Sequence, residues 1–383
     1  MAGYEIIDGV GIFPDGITVI EDNAFKDRKD LKSVIIPDTV TEIGSDAFCD
    51  CSALESVVIP GSVTGIGSGA FCGCAGLKSI ILPDSVTKLG ICVFLGCLGL
   101  QSVSLSASLT DLGPCLLFKD CSSLTSITIP DSVTAIGMNT FEGCTSLENV
   151  VIPDSVKVID EKAFAGCTGL KTISIPDSVV RINRNAFEHC TGLTSIAIPR
   201  SVKSISSGVF FECTGLTSVS ILDSVTSIED YAFYGCAGLK SIIIPESVTV
   251  IDESAFEGCT GLVCINIPHS VTRIGESAFK GCTSLESIVI PNTVKWINDM
   301  TFEGCTALAN IVIPDAVTRI GESAFDGCKS LTRVTIPSSV TEIGNFAFSG
   351  CSGMKSIIIP KTVTRIGDGA FAGCSNLAND EFS

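Results

Sequence analysis

The chain has 383 residues, a formal net charge of −18 and an apolar fraction of 45%. Such an excess of carboxylates argues against nucleic acid, whose phosphates need clustered Lys and Arg, and makes a basic protein the more natural partner. No stretch approaches 18 consecutive apolar residues, so direct insertion into a membrane as a spanning helix is not expected.

Residues 1–13, MAGYEIIDGVGIF, keep an aromatic at Phe13 but place Asp8 and Gly11 where later segments carry inward leucine and isoleucine. They read as an N-terminal cap on whatever follows. They lack the charged start and apolar core of a signal peptide, and the chain holds no N-x-S/T acceptor. Both features favour a cytoplasmic or other intracellular setting, with the cell surface or secretion as the alternative.

From residue 14 to residue 377 the chain repeats itself. VTRIGESAFKGC at 271–282 returns as VTRIGESAFDGC at 317–328, and VKWINDMTFEGC at 294–305 between them sets the period at 23. Pro14, Pro37, Pro60 and Pro83 keep that spacing, Ser106 takes the next slot, and the prolines resume from Pro130 to Pro360 with Leu222 as one substitute. The phenylalanine column holds 16 of 20 residues and the cysteine column 15 of 20. Three columns in one register establish a repeat architecture, in which a unit cannot bury its apolar face alone and must stack on its neighbours. The register slips once, by one residue in Leu112 to Phe118, and no linker interrupts it. A single array over 1–383 is therefore expected, with repeats at 14–377 and a truncated last strand at 378–383, where Asp380 occupies an inward slot.

Each unit has the same internal logic, seen in LTSITIPDSVTAIGMNTFEGCTSL at 124–147. Leu124, Ile127 and Ile129 alternate with polar residues, the pattern of a short strand with one buried face, and Pro130 ends it. Val133 and Ile136 turn inward again. The residue after that isoleucine is Gly44, Gly67, Gly90, Gly137, Asp160, Asn183, Gly275, Asn298 or Gly321. These types tolerate positive φ, so a left-handed turn is expected there, with local strain or a different shape at Ser206 and Glu229. A return segment too brief for a helix, one 3₁₀ or α turn, then drops Phe141 and Cys144 into the core.

The pattern L-x-x-I-x-I-P-x-S-V-x-x-I-G-x-x-A-F-x-G-C resembles the BspA-like leucine-rich repeats over nearly the whole chain. The resemblance implies a β-rich (α/β-type) solenoid: a curved right-handed superhelix of about 16 turns, short parallel strands on its concave face and short turn or 3₁₀ segments on its convex face. It also implies a non-enzymatic role in adhesion or protein binding, many members resembling surface proteins. Where many leucine-rich repeats carry asparagine after the strand, this chain carries Ser85, Ser132, Ser155, Ser178, Ser201, Ser224, Ser247 and Thr293. Their hydroxyls are expected to bond the backbone of the adjacent turn.

Catalytic groups are scarce. His189 and His269 stand 80 residues apart in different columns, and neither has metal-ligand spacing or a nucleophile and carboxylate beside it. Asp131, Asp154 and Asp177 would stack closely enough to share a divalent cation, but aspartate also suits a turn, and Arg200, His269 and Lys361 fill the same column. An enzyme or metal binder using that column is the rival class; no cofactor or metal is expected.

A partner surface is easier to place. The residue between the two buried ones of each strand faces outward, and Ile35, Val58, Ile81, Val151, Ala197, Ile243, Val289, Val312 and Ile358 make that column apolar at nine of fifteen positions. Contiguous apolar surface usually has a use, although β-branched residues also simply suit a sheet. Ile35 to Ile81 and Val289 to Val312 are its denser zones. On other faces, Arg273, Trp296 and Arg319 share a column in which the indole can stack between guanidiniums, and Phe211, Tyr231 and Tyr234 form an aromatic patch. Cys49 with Cys72, and Cys92 with Cys115, are 23 apart, a separation stacked turns would bring within disulfide range. The expected function is a protein-interaction scaffold, with a BspA-type surface adhesin as runner-up and self-association through the stripe or an end as a further outcome.

Overall fold

The computed structural model describes residues 3–113 and 115–377. It is a parallel β-solenoid of about 15 turns among those residues, with no helix; the last strand expected at 378–383 lies outside them. The chain divides into two compact units, residues 1–193 and 194–383.

The first unit opens with an antiparallel hairpin. Glu5–Ile7 pairs with Val10–Ile12, and Asp8 and Gly9, both at positive φ (51° and 84°), make the two-residue turn between them. Both central residues of such a tight hairpin need φ > 0, which is why Asp-Gly stands there. Gly11 is buried against Leu31, Val34 and Phe25, where an added Cβ would lie 3.1 to 3.4 Å from their side chains, a tight fit. From Ser33–Ile35 onward the strands are parallel and offset by one repeat: Ser33 lies opposite Ser56, Val34 opposite Val57, Ile35 opposite Val58.

Most turns of the unit also carry a second strand of two residues, which the sequence pattern did not reveal; the turn after Ser102–Ser104 has none. Val19, Glu42, Gly65 and Lys88 pair in one such ribbon, and Ala135, Val158 and Arg181 in another. Between the two strands lies a tight turn in which the proline carbonyl accepts the valine N–H three residues on, as from Val40 to Pro37 at 3.0 Å and Val133 to Pro130 at 3.0 Å. The carbonyl, rather than the ring, makes this turn. That explains why Ser106 substitutes: its carbonyl accepts Leu109 N–H, and its buried hydroxyl donates to the Val86 carbonyl at 2.7 Å.

The return segment is a run of turns whose backbone bonds alternate in direction. Ala24, Lys26 and Arg28 donate three residues back, to Glu21, Asn23 and Phe25, while Asn23, Phe25 and Asp27 donate to Ser45, Ala47 and Cys49 of the next turn. A helix would direct every N–H within its own segment; here half are used for stacking.

This alternation places positive φ elsewhere than expected. The left-handed residues flank the phenylalanine, two before and two after it, as at Asp46 (53°) and Asp50 (58°) around Phe48 or Tyr231 (58°) and Gly235 (67°) around Phe233. Gly44, Gly67, Gly137 and Gly275 have ordinary φ, and Ser206 and Glu229 in their column are not left-handed either. Glycine recurs there because the adjacent turn crosses it closely: a Cβ on Gly67 would lie 2.6 Å from the Gly44 carbonyl carbon.

Among the buried columns of each unit, which include leucine, valine and isoleucine, two are ladders of one residue type, phenylalanine and cysteine. In the first, Phe25, Phe48, Phe71, Phe94, Phe118, Phe141, Phe164 and Phe187 are fully buried or nearly so and stack in parallel, successive centroids 5.2 to 5.7 Å apart. Tyr4 and Phe13 close the end of the stack edge-on against Phe25, at 5.4 and 5.6 Å, the favourable geometry for rings that have no further neighbour to stack upon. In the second unit the same stack runs from Phe233 through Phe256, Phe279, Phe302, Phe325 and Phe348, beside a six-strand ribbon from Ser241–Ile243 to Ser356–Ile358.

The cysteine column has a specific duty. Each thiol donates to the phenylalanine carbonyl of the preceding turn, Cys51 to Phe25 at 3.0 Å, Cys167 to Phe141 at 3.1 Å, Cys282 to Phe256 at 3.2 Å. A small apolar side chain with one weak donor fits a buried slot facing a carbonyl. The hydroxyl column behaves similarly but less uniformly. Ser178 and Ser247 donate to Val156 and Val225 at 2.9 and 2.6 Å, and Ser132 and Thr293 also bond the preceding turn, whereas buried Ser85, Ser155 and Ser224 have no partner.

Removing one ring should open a cavity that the flanking rings cannot close. Phe279→Ala should cost about 3–5 kcal/mol, read as a lowered denaturant midpoint, while Phe279→Leu should cost clearly less. Burial also raises the thiols, Cys259 and Cys305 to about 12 from an ordinary 9.0. A thiol that stays protonated in the fold but ionises in the unfolded chain leaves stability intact below pH 9. Above that, each one subtracts about 1.4 kcal/mol per pH unit until its folded value is reached. Urea titrations at pH 8 and pH 10.5 should show a steep alkaline loss, and Cys259→Ala/Cys305→Ala should make it shallower.

Candidate functional site

The outward column of the strand ribbon is built by alternation. In Ser33–Ile35 the central Val34 is buried and Ile35 points out, because successive side chains of a strand leave opposite faces. Parallel pairing at one-repeat offset then sets Ile35 opposite Val58 and Val289 opposite Val312. In the first unit Ile35, Val58 and Ile81 are 68%, 58% and 68% exposed. In the second, Val289 and Val312 are directly paired and 65% and 77% exposed, and Ile243 and Ile358 are exposed in the same ribbon. The stripe expected from sequence is therefore apolar and open to solvent.

Polar residues run alongside it. Ser56, Ser79 and Ser241 are exposed at the strand starts, and Cys264, Asn310 and Arg333 take that column in the second unit. A shallow groove of about 410 Å³ lies on this face between Val312, Asp315, Arg333, Thr335 and Pro337. In the first unit a groove of about 540 Å³ opens where no strand ladder joins Ser102–Ser104 to Ser126–Thr128. The extra residue at 112–118 falls between these two strands, but the ladder also stops between Ser56–Val58 and Ser79–Ile81, where the spacing is regular.

Arg273, Trp296 and Arg319 lie on the two-residue strands, Trp296 paired with Arg319. The guanidiniums turn to carboxylates rather than to the indole. Arg273 Nη1 is 3.0 Å from Asp252 Oδ1, and Arg319 lies between Asp299 and Glu342 at 3.8 and 3.9 Å. A charge-assisted contact outweighs an exposed cation–π contact, so Trp296 stays 58% exposed. Phe211, Tyr231 and Tyr234 are brought together on the return side: Phe211 and Tyr234 stack at 4.7 Å and 4°, and Tyr231 lies 6.0 Å from Tyr234.

All twenty cysteines are thiols. Cys49 and Cys72 interact across adjacent turns, burial raising Cys49 to about 12 and Cys72 in the same direction. Cys92 lies near Cys115, whose carbonyl accepts its N–H at 3.2 Å. Among the described residues no group of His, Cys, Asp or Glu is placed to hold a metal, and no helix is long and apolar enough to cross a membrane. Asp131, Asp154 and Asp177 are exposed, as are His189 and His269.

A family model for the BspA type leucine-rich repeat region matches residues 11–117, 116–238, 203–321 and 295–383. Among solved structures, a leucine-rich repeat protein from Bacteroides ovatus is 32% identical with a TM-score of 0.62, over 96% of this chain and 88% of that one. A leucine-rich cell surface protein from Faecalibacterium prausnitzii is 33% identical with a TM-score of 0.49, over 93% and 84%. No curated protein matches the chain.

Proposed function

The chain belongs to the BspA-type leucine-rich repeat family, and from that premise we propose that it is a non-enzymatic protein-binding scaffold that receives its partner on the exposed strand face. The observation carrying this reading is the directly paired Val289 and Val312, with more than half of each side chain in water. An apolar ladder held by backbone bonds pays no ordering cost on binding and presents the dry centre that interface hot spots need. The hydroxyl and amide groups beside it supply a polar rim. The net charge of −18 suits a partner that is basic around the contact.

Val289→Asp with Val312→Asp tests the assignment, because both side chains are exposed and their replacement should leave the melting temperature within about 2 °C. Affinity for the partner that co-purifies with the unaltered chain should fall at least about tenfold; unchanged affinity in a folded variant removes the strand face from the function.

An adhesin-type role at a cell surface is the second reading, supported by the BspA-type family match; in an oxidising compartment the neighbouring thiols of Cys49 and Cys72 would be joined. Thiol titration of freshly isolated protein distinguishes the settings. Free Cys49 and Cys72 point to a reducing interior, and their linkage in a non-reducing peptide map points outside the cell.

A further inference from the structure

The return side of the second unit carries one feature that neither stacking nor the strand face uses. Tyr231 occupies a left-handed position, φ 58°, which Ser254, Ser277 and Ser323 fill in later turns. A bulky ring is a strained choice there, since its Cβ crowds the backbone in that conformation. The ring is 37% exposed and packs against the edge of the Phe211–Tyr234 stack. Its hydroxyl donates to Glu253 Oε1 at 2.9 Å.

Carboxylates surround these rings. Asp230 and Glu253 are exposed and Glu257 is half-buried, and all three act on Tyr231, pushing its phenol up. Their hydrogen bonds are to neutral donors: Asp230 accepts Glu253 N–H at 3.1 Å, and Glu257 accepts the Ser254 hydroxyl at 2.6 Å. Among the described residues no Lys or Arg pairs with any of the three, whereas Asp252, next to Glu253 in the chain, is paired with Arg273, and Asp299 and Glu303, two turns further on, each have a cation. Even with Arg273 beside it, Asp252 is raised, by burial first and then by the uncompensated Asp230 and Glu229.

We infer that the surface formed by Phe211, Tyr231, Tyr234, Asp230, Glu253 and Glu257 is a second docking site, which takes an arginine-bearing segment of a partner protein. A guanidinium is the group that matches both halves of the patch. Its flat face stacks on an exposed tyrosine ring, and its fork of N–H donors meets carboxylates that have no internal cation. An ammonium offers only a point charge and an aliphatic segment only the apolar contact, so arginine should be preferred to lysine, and lysine to a neutral residue. The parallel stack of Phe211 and Tyr234 and the Tyr231–Glu253 bond fix the rings before binding. This site is separate from the strand face and does not depend on it.

The test uses the whole chain and a fluorescein-labelled twelve-residue peptide bearing three arginines in Gly/Ser spacers, with lysine and citrulline counterparts, followed by anisotropy at about 0.15 M salt. The expected order is arginine, lysine, citrulline. Tyr231→Gly should weaken the arginine peptide about three- to fivefold while leaving the melting temperature unchanged or higher, because glycine adopts φ 58° without strain. Glu257→Gln, which keeps the rings, should weaken it comparably, and the double variant about tenfold or more. Asp154→Asn, the same charge change on the other unit, should have no effect. Failure of the arginine peptide to bind up to about 1 mM overturns the site. So does a loss with Asp154→Asn equal to that with Glu257→Gln, since binding would then follow net charge alone.

Discussion

Each turn of this protein is held by hydrogen bonds to the equivalent atoms of the turn beside it, and the remainder of the structure follows from that one-repeat offset. N–H groups of the parallel strands, half of the N–H groups of the return segment and thiols of the core cysteine column find their acceptors 22 to 27 residues away. A lone turn would leave these donors unpaired and its phenylalanine exposed, so it has no stable isolated form. Stacking solves both problems together. It also converts any recurring residue into a continuous column, which is why a ring every 23 residues becomes a parallel stack with centroids about one strand spacing apart.

The same offset creates two structural problems, at the ends and at irregularities. Near the N-terminus an antiparallel hairpin pairs with the first parallel strand, leaving Glu5–Ile7 as the sheet edge, and two edge-on aromatic rings close the ring stack. On either side of the additional residue no ladder joins Ser102–Ser104 to Ser126–Thr128, while Phe94, Phe118 and Phe141 remain stacked at 5.5 and 5.7 Å. The ring stack is thus continuous where the surface ladder is not, as expected when ring burial contributes more than one or two exposed backbone bonds.

Because the inward columns are committed to packing, individuality is confined to the outward ones. Two faces carry it in different chemical forms. The three-residue strands present an aliphatic stripe with a polar border, suited to broad, dry contact. The return side of the second unit presents stacked aromatic rings among carboxylates that lack a cation, suited to a localised charged group. On the two-residue strands the potential anchors are already engaged internally, Arg273 and Arg319 by carboxylates, which leaves Trp296 as a solitary exposed ring.

Residues 124–147 show how far one repeat can be read without coordinates. The alternation of Leu124, Ile127 and Ile129, the burial of Phe141 and Cys144 and the outward position of Thr128 all follow from period and polarity, because burial on one face of a strand leaves a pattern of two. The unbroken 23-residue period likewise determined that Ile35, Val58 and Ile81 would be neighbours. Other features depended on how closely one backbone crosses the next. Gly67 looked like a left-handed turn residue and is instead a point of close approach, whereas the left-handed positions fell to Asp46, Lys162 and Tyr231, a set with no common chemistry. The two-residue strands at Glu42–Ile43 and its equivalents are too short to leave any alternation. The choice of carboxylate over indole by Arg273 was decided by side chains in an adjacent column. Composition and spacing therefore determined the repeat, its buried ladders and its exposed stripe, since those are set by which residues avoid water. Only the tertiary structure decided backbone handedness, hydrogen-bond direction and the pairing of exposed charges, since those are set by distances between turns that no single turn encodes.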